Sequence, residues 1–122
     1  KTVRIEPWDA SIGKNIEKAI NLSNLGLSVA PFEKGLRVIF PELTSERREQ
    51  FVKVVKNKLE ESRVSLRSLR DKTGRTIEEK EKSGGMGEDD KFRLKEEMQK
   101  MIDEASKKLE ALAERKEAEI IG

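Results

Sequence analysis

The chain has 122 residues, 41% of them charged and only 34% hydrophobic, with four Phe and one Trp as its aromatic complement; long charged helices with a narrow apolar seam fit this better than a compact globule, within one modest domain or two small lobes. With no Cys and no His, a disulfide framework, a thiolate zinc site and the commonest general base are excluded, and no run approaches the roughly 18 apolar residues of a membrane span or forms an apolar signal region, so a soluble, non-secreted protein is expected. The net charge of +2 conceals a segregation: residues 1–43 carry +1, residues 44–76 carry ten basic and five acidic groups, and residues 77–122 carry ten and fourteen, which favours a nucleic-acid contact at the middle segment.

In chain order, Val3 and Ile5 alternate with Arg4 and Glu6 before Pro7-Trp8, the pattern of a strand ended by proline. Asp9 or Ser11 suits the cap of a short helix with Ile12, Ile16, Ala19 and Ile20 at helical spacing, and Gly26 suits its stop. After the turn chemistry of Pro31 and Lys34-Gly35, LRVIF reads as a second strand with Leu36, Val38 and Phe40 on one face. The opening strand has no evident neighbour and no initiator methionine precedes it, so the sequence looks truncated.

Thr44 then fits a helix N-cap, with Glu46 in the first turn. The apolar seam runs Phe51, Val55, Leu59, Ser62, Leu66, Leu69, Thr73 and Ile77, which is bundle geometry sustained over several heptads, and Gly74 off that seam marks a local weakening. Ser83-Gly84-Gly85-Met86-Gly87 breaks the helix. A second long helix starts at Glu88-Asp89-Asp90, with a seam at Leu94, Met98, Met101, Ala105, Leu109, Leu112, Lys116 and Ile120. A short break between two amphipathic helices implies an antiparallel hairpin. The expected fold is therefore α+β: a partial small α/β domain over residues 1–42, read as strand-helix-strand, and a long helical hairpin over residues 43–122. Two helices bury only part of such stripes, so the open seam wants a third helix or invites self-association.

The constellation with chemical content is Arg63, Arg67 and Arg70 at i, i+4 and i+7, joined by Lys56. That spacing stacks the cations on one helical face. A solvated charged face is the bland reading; against it, guanidinium forks suit phosphate. No aromatic residue interleaves the ladder, so backbone or shape recognition of RNA is the form to expect. The GGMG run lacks the Lys-Ser/Thr of a phosphate-binding loop and reads as a connector. Glu88, Asp89 and Asp90 are explained by the helix dipole rather than a metal, Met98 and Met101 by gap filling, and Trp8 by a place in the small lobe's core, with recognition as the other reading. No catalytic residue, metal site or cofactor is indicated.

The stretches VRIEPWD, IEKAINLSNLGL, LRVIFPELTSERREQFVK, ESRVSLRSLRD, GEDDKFRLKEEMQKMIDEASKKLE and KEAEII closely resemble the ribosome recycling factors of bacteria and organelles, through essentially the whole chain. The resemblance implies an L-shaped protein in which a small α/β domain is inserted between the first and second helices of a three-helix bundle, and it implies that the first helix and the opening strands of the inserted domain are missing here, which would impair recycling. It further implies a non-enzymatic translation factor, in the bacterial cytoplasm or an organelle matrix or stroma, that lies on the large ribosomal subunit and acts with elongation factor G. Arg63, Arg67 and Arg70 then fall on the family's RNA-contacting ladder, and Pro41, Glu42, Leu43 and Thr44 on its interdomain hinge. Asp71 departs from the family pattern, in which a second basic residue often follows the ladder; it either lowers RNA affinity or orients a neighbouring arginine. The rival reading from another class is a coiled-coil interaction module that uses the same stripes without binding RNA.

Overall fold

The computed structural model describes residues 1–122 and has an α+β fold in two compact units, Lys1–Thr44 and Ser45–Gly122. The first unit contains strand β1 (Thr2–Ile5), a 3-10 turn (Ala10–Ile12), helix α1 (Gly13–Leu22) and strands β2 (Ser28–Phe32) and β3 (Gly35–Ile39). The Asp9 side chain accepts from the Ser11 amide at 2.9 Å, so Asp9, not Ser11, caps the turn that leads into α1. The helix ends at Leu22, before the expected glycine, because Asn24 also takes a positive φ, of 56°, ahead of Gly26 at 70°.

The three strands form one antiparallel sheet in the order β1-β3-β2. Two expectations change here. The opening strand has a partner, because Val3 pairs with Val38 and Ile5 with Leu36. Moreover, the segment read as turn chemistry around Pro31 is a strand, with Pro31 opposite Leu36. Pro31 is tolerated because β2 lies at the sheet edge, where a missing amide donor breaks no inner ladder. Leu36 and Val38 are the buried side chains of this unit, whereas Phe40 falls past the end of β3 and is largely exposed. Gly35 is required at its position, since a Cβ there would lie 2.0 Å from the Ile5 carbonyl oxygen. Trp8 is fully exposed, which removes it from the core role expected of a lone tryptophan.

The second unit is a hairpin of helices α2 (Ser45–Lys82) and α3 (Glu88–Ile121). At 1.5 Å per residue they are about 57 and 51 Å long. Between them the Gly85 amide donates to the Lys80 carbonyl at 2.8 Å and the Gly84 amide to the Glu81 carbonyl at 3.0 Å, with Gly84 at φ 78°. This paired 6→1 and 5→2 closure is a Schellman motif, and it stops α2 by satisfying its terminal carbonyls. Gly87 then caps α3 from an extended conformation, with three acidic residues in the first turn.

Cross-helix contacts along the hairpin mark its antiparallel register. Lys91 pairs with Glu81 at 3.8 Å, Lys95 with Glu78 at 2.5 Å and Arg63 with Glu110 at 2.8 Å. At the far end the Arg48 guanidinium donates to the Ile120 carbonyl. Ile77, Ala113 and Ile120 are the buried side chains. The seam of α3 differs from expectation: Met101 is 71% exposed and Leu112 56%, while Ile102 is half-buried and Ala113 buried. The packed positions run 94, 98, 102, 105, 109, 113 and 120. Both lines run from 94 to 120, so the difference is one of face rather than of period: Met101 and Leu112 lie on the flank that borders the apolar groove between the helices. On α2, Leu69 is likewise 57% exposed. Gly74, expected off the seam, is half-buried, and a Cβ there would meet the Met98 methyl at 3.9 Å.

Candidate nucleic-acid interface

At 100° per residue, α2 turns Leu59, Leu66 and Ile77 toward α3 and places Lys56, Arg63, Arg67 and Arg70 on one flank of that contact line, with Val55, Ser62 and Leu69 on the other. The four sequence-predicted cations therefore share one side of the hairpin. The opposite flank is an apolar groove lined by residues such as Val55, Leu59, Leu109 and Leu112 at one end and Leu69 and Met101 at the other.

Each arginine of the ladder has a carboxylate partner. Arg63 bridges to Glu110 on α3 at 2.8 Å and lies 3.9 Å from Glu60; Arg67 donates to Glu60 at 3.1 Å; Arg70 donates through Nε and Nη2 to Asp71 at 3.2 and 3.1 Å. Asp71 thus holds Arg70 directly. Lys56 is exposed and has no carboxylate within ion-pair distance. These pairs are solvent-exposed, a class in which the attraction is largely offset by hydration and screening, to within about 1 kcal/mol. A phosphate oxygen can therefore replace each carboxylate at small cost.

Sequence reasoning found the cations and offered Asp71 as a possible partner, but not Glu60 or Glu110. Glu60 was legible in principle, because it stands three and seven residues before Arg63 and Arg67 on the same helix. Glu110 was not, since its place opposite Arg63 depends on the hairpin register. The expected hinge, Pro41, Glu42, Leu43 and Thr44, forms an irregular segment that joins the two units. Glu88, Asp89 and Asp90 stand in the first turn of α3, and no cluster of three or more potential metal-ligating side chains occurs. No helix is long and apolar enough to cross a membrane.

Residues 1–121 match the family model described as ribosome recycling factor. The chain is 40% identical over 121 residues to the ribosome-recycling factor of Desulfatibacillum aliphaticivorans, covering 99% of this chain and 65% of that protein. It is 41% identical to that of Thermotoga sp. strain RQ2, with the same coverage, and 42% identical over 117 residues to that of Heliobacterium modesticaldum, covering 96% of this chain and 63% of the relative. The chain thus spans just under two thirds of the length of these curated relatives. A match that runs through both units, with every ladder position inside it, carries the assignment: the chain belongs to the ribosome recycling factor family.

Proposed function

We infer that this protein takes part in ribosome recycling by binding large-subunit ribosomal RNA through the flank of α2 that carries Lys56, Arg63, Arg67 and Arg70. The observation that supports this reading most is the division of α2 into a packed line with a cation row along one side only, inside the +5 segment. Such a row contacts phosphates and carries no base readout, so the recognition is of backbone and shape. The mechanism is steric and electrostatic. The hairpin supplies a stiff element about 57 Å long that occupies RNA-lined space, and force supplied by elongation factor G is transmitted through the segment Pro41–Thr44, which acts as the hinge. No side chain does covalent chemistry in this scheme, and the site of action is the cytoplasm of a bacterium.

Arg67→Ala is the clean test, because Arg67 pairs only within its own helix while Arg63 also ties α2 to α3. The substitution should weaken binding to large ribosomal subunits and reduce the dependence of log affinity on log salt by about one phosphate contact. Helicity should be retained, since Ala is at least as good a helix former. Unchanged affinity across low and moderate salt would remove this flank from RNA binding. The apolar groove favours a second reading, a helical interaction module, and the same titration separates the two, because a hydrophobic seam releases no counterions.

A further inference from the structure

The small unit carries a second cationic feature that the ladder does not explain. Strand pairing places Arg4 directly opposite Arg37, and Ala30 opposite Arg37 on the other side. Alternation puts these residues on the sheet face away from Leu36 and Val38, together with Phe32, Ile39 and Thr2. Like charges directly opposed across an antiparallel pair destabilise it. The two guanidinium groups are instead gathered over one ring: the Arg4 guanidinium lies 4.8 Å from the Phe32 centroid and that of Arg37 lies 5.8 Å from it. Glu6 compensates Arg4 at 2.6 Å, whereas Arg37 has no carboxylate within ion-pair distance.

We propose that this outer sheet face is a binding site for an unpaired RNA segment, distinct from the helical ladder. Arg4 and Arg37 take the phosphodiester oxygens, and the guanidinium groups held over the Phe32 ring offer a flat cationic surface, backed by that ring, on which a base stacks. The combination decides the class of partner. Arginine forks match phosphate and stack on π faces, and a sheet face presenting guanidinium groups backed by an aromatic ring is a platform on which splayed bases settle without sequence readout. An acidic protein segment would satisfy the arginines but make no use of the ring. This site lies wholly in the first unit and does not depend on the ladder, so it stands or falls separately from the recycling reading.

The test uses the full 122-residue chain carrying K56Q, R63Q, R67Q and R70Q, so that the ladder cannot account for binding. Unstructured oligouridylate of about eight nucleotides is the probe, a length within the usual footprint of a single-strand platform. Backbone amide NMR should show shifts concentrated at Arg4, Phe32 and Arg37. R37Q, on the exposed face, should weaken binding about tenfold, and F32L, which leaves the charge unchanged, about fivefold or more, as loss of one base-stacking contact requires. Amide dispersion reports whether each variant keeps the sheet. No shifts on the sheet would overturn the proposal, as would an R37Q chain that binds normally. Binding that survives F32L while oligoglutamate produces equal shifts would replace RNA by an acidic protein segment and overturn it as well.

Discussion

Glu78 shows what one strut contributes. Its carboxyl is held below the ordinary carboxylate range, first by the hydrogen bond from Lys95 and then by the charge of that lysine. A lowered folded-state value means that the pair's contribution is present above the ordinary carboxylate pKa and is lost as pH falls through the folded value. The expected outcome is a Glu78 carboxyl that titrates in NMR below the ordinary carboxylate range and that returns toward that range in Lys95→Met. Gly35 is a residue-scale constraint of another kind. In Gly35→Ala the new methyl group meets the Ile5 carbonyl oxygen at 2.0 Å, so β1 must separate from β3, at a cost of about 2 kcal/mol or more. With two buried side chains in that unit, the sheet should unfold while the hairpin remains helical, which loss of the sheet amide resonances with a fall in helical circular dichroism no larger than the share of α1 would report.

Gly74 and Gly84, both in the hairpin, predict opposite outcomes. Gly84 holds a left-handed conformation at φ 78° inside the Schellman closure, so Gly84→Ala should destabilise by about 1 kcal/mol. Gly74 is helical, and an added Cβ meets only the Met98 methyl at ordinary contact distance; Gly74→Ala should therefore stabilise by about 0.5 to 1 kcal/mol. Thermal melts of the two variants read both signs. The long helices were legible in the sequence because their stop and start signals are local: SGGMG carries the closing glycines, and the acidic first turn of α3 follows at once. Strand β2 was hidden because Pro31 speaks against a strand unless its edge position is known, and edge position is a property of the sheet. The α3 seam was misplaced by one residue, at Met101 for Ile102 and Leu112 for Ala113, because both members of each pair are apolar and only the facing helix decides between them. For the candidate interface the cations were legible from spacing alone, whereas the salt partner Glu110 required the register.

At the scale of the whole molecule, the apolar groove beside Leu69, Met101 and Leu112 leaves the hairpin core open along one side. A continuous apolar stripe along two helices stays wetted only at a free-energy cost of about 25 cal/mol per Å². The isolated chain should therefore self-associate through this face, and its melting temperature should rise with protein concentration. Sedimentation equilibrium that gives a monomer throughout, with a concentration-independent melt, would show that the hairpin is sufficient by itself. The struts of that hairpin carry a further consequence. Lys91–Glu81, Lys95–Glu78, Arg63–Glu110 and Arg48 to Ile120 close loops spanning 10, 17, 47 and 72 residues. Each contact formed from the Schellman turn outward shortens the remaining search, so loop-closure entropy is met in small increments rather than at once. The hairpin can zip from the glycine turn, and it should open from the other end: amides near Arg48 and Ile120 should exchange hydrogen before those flanking Lys95.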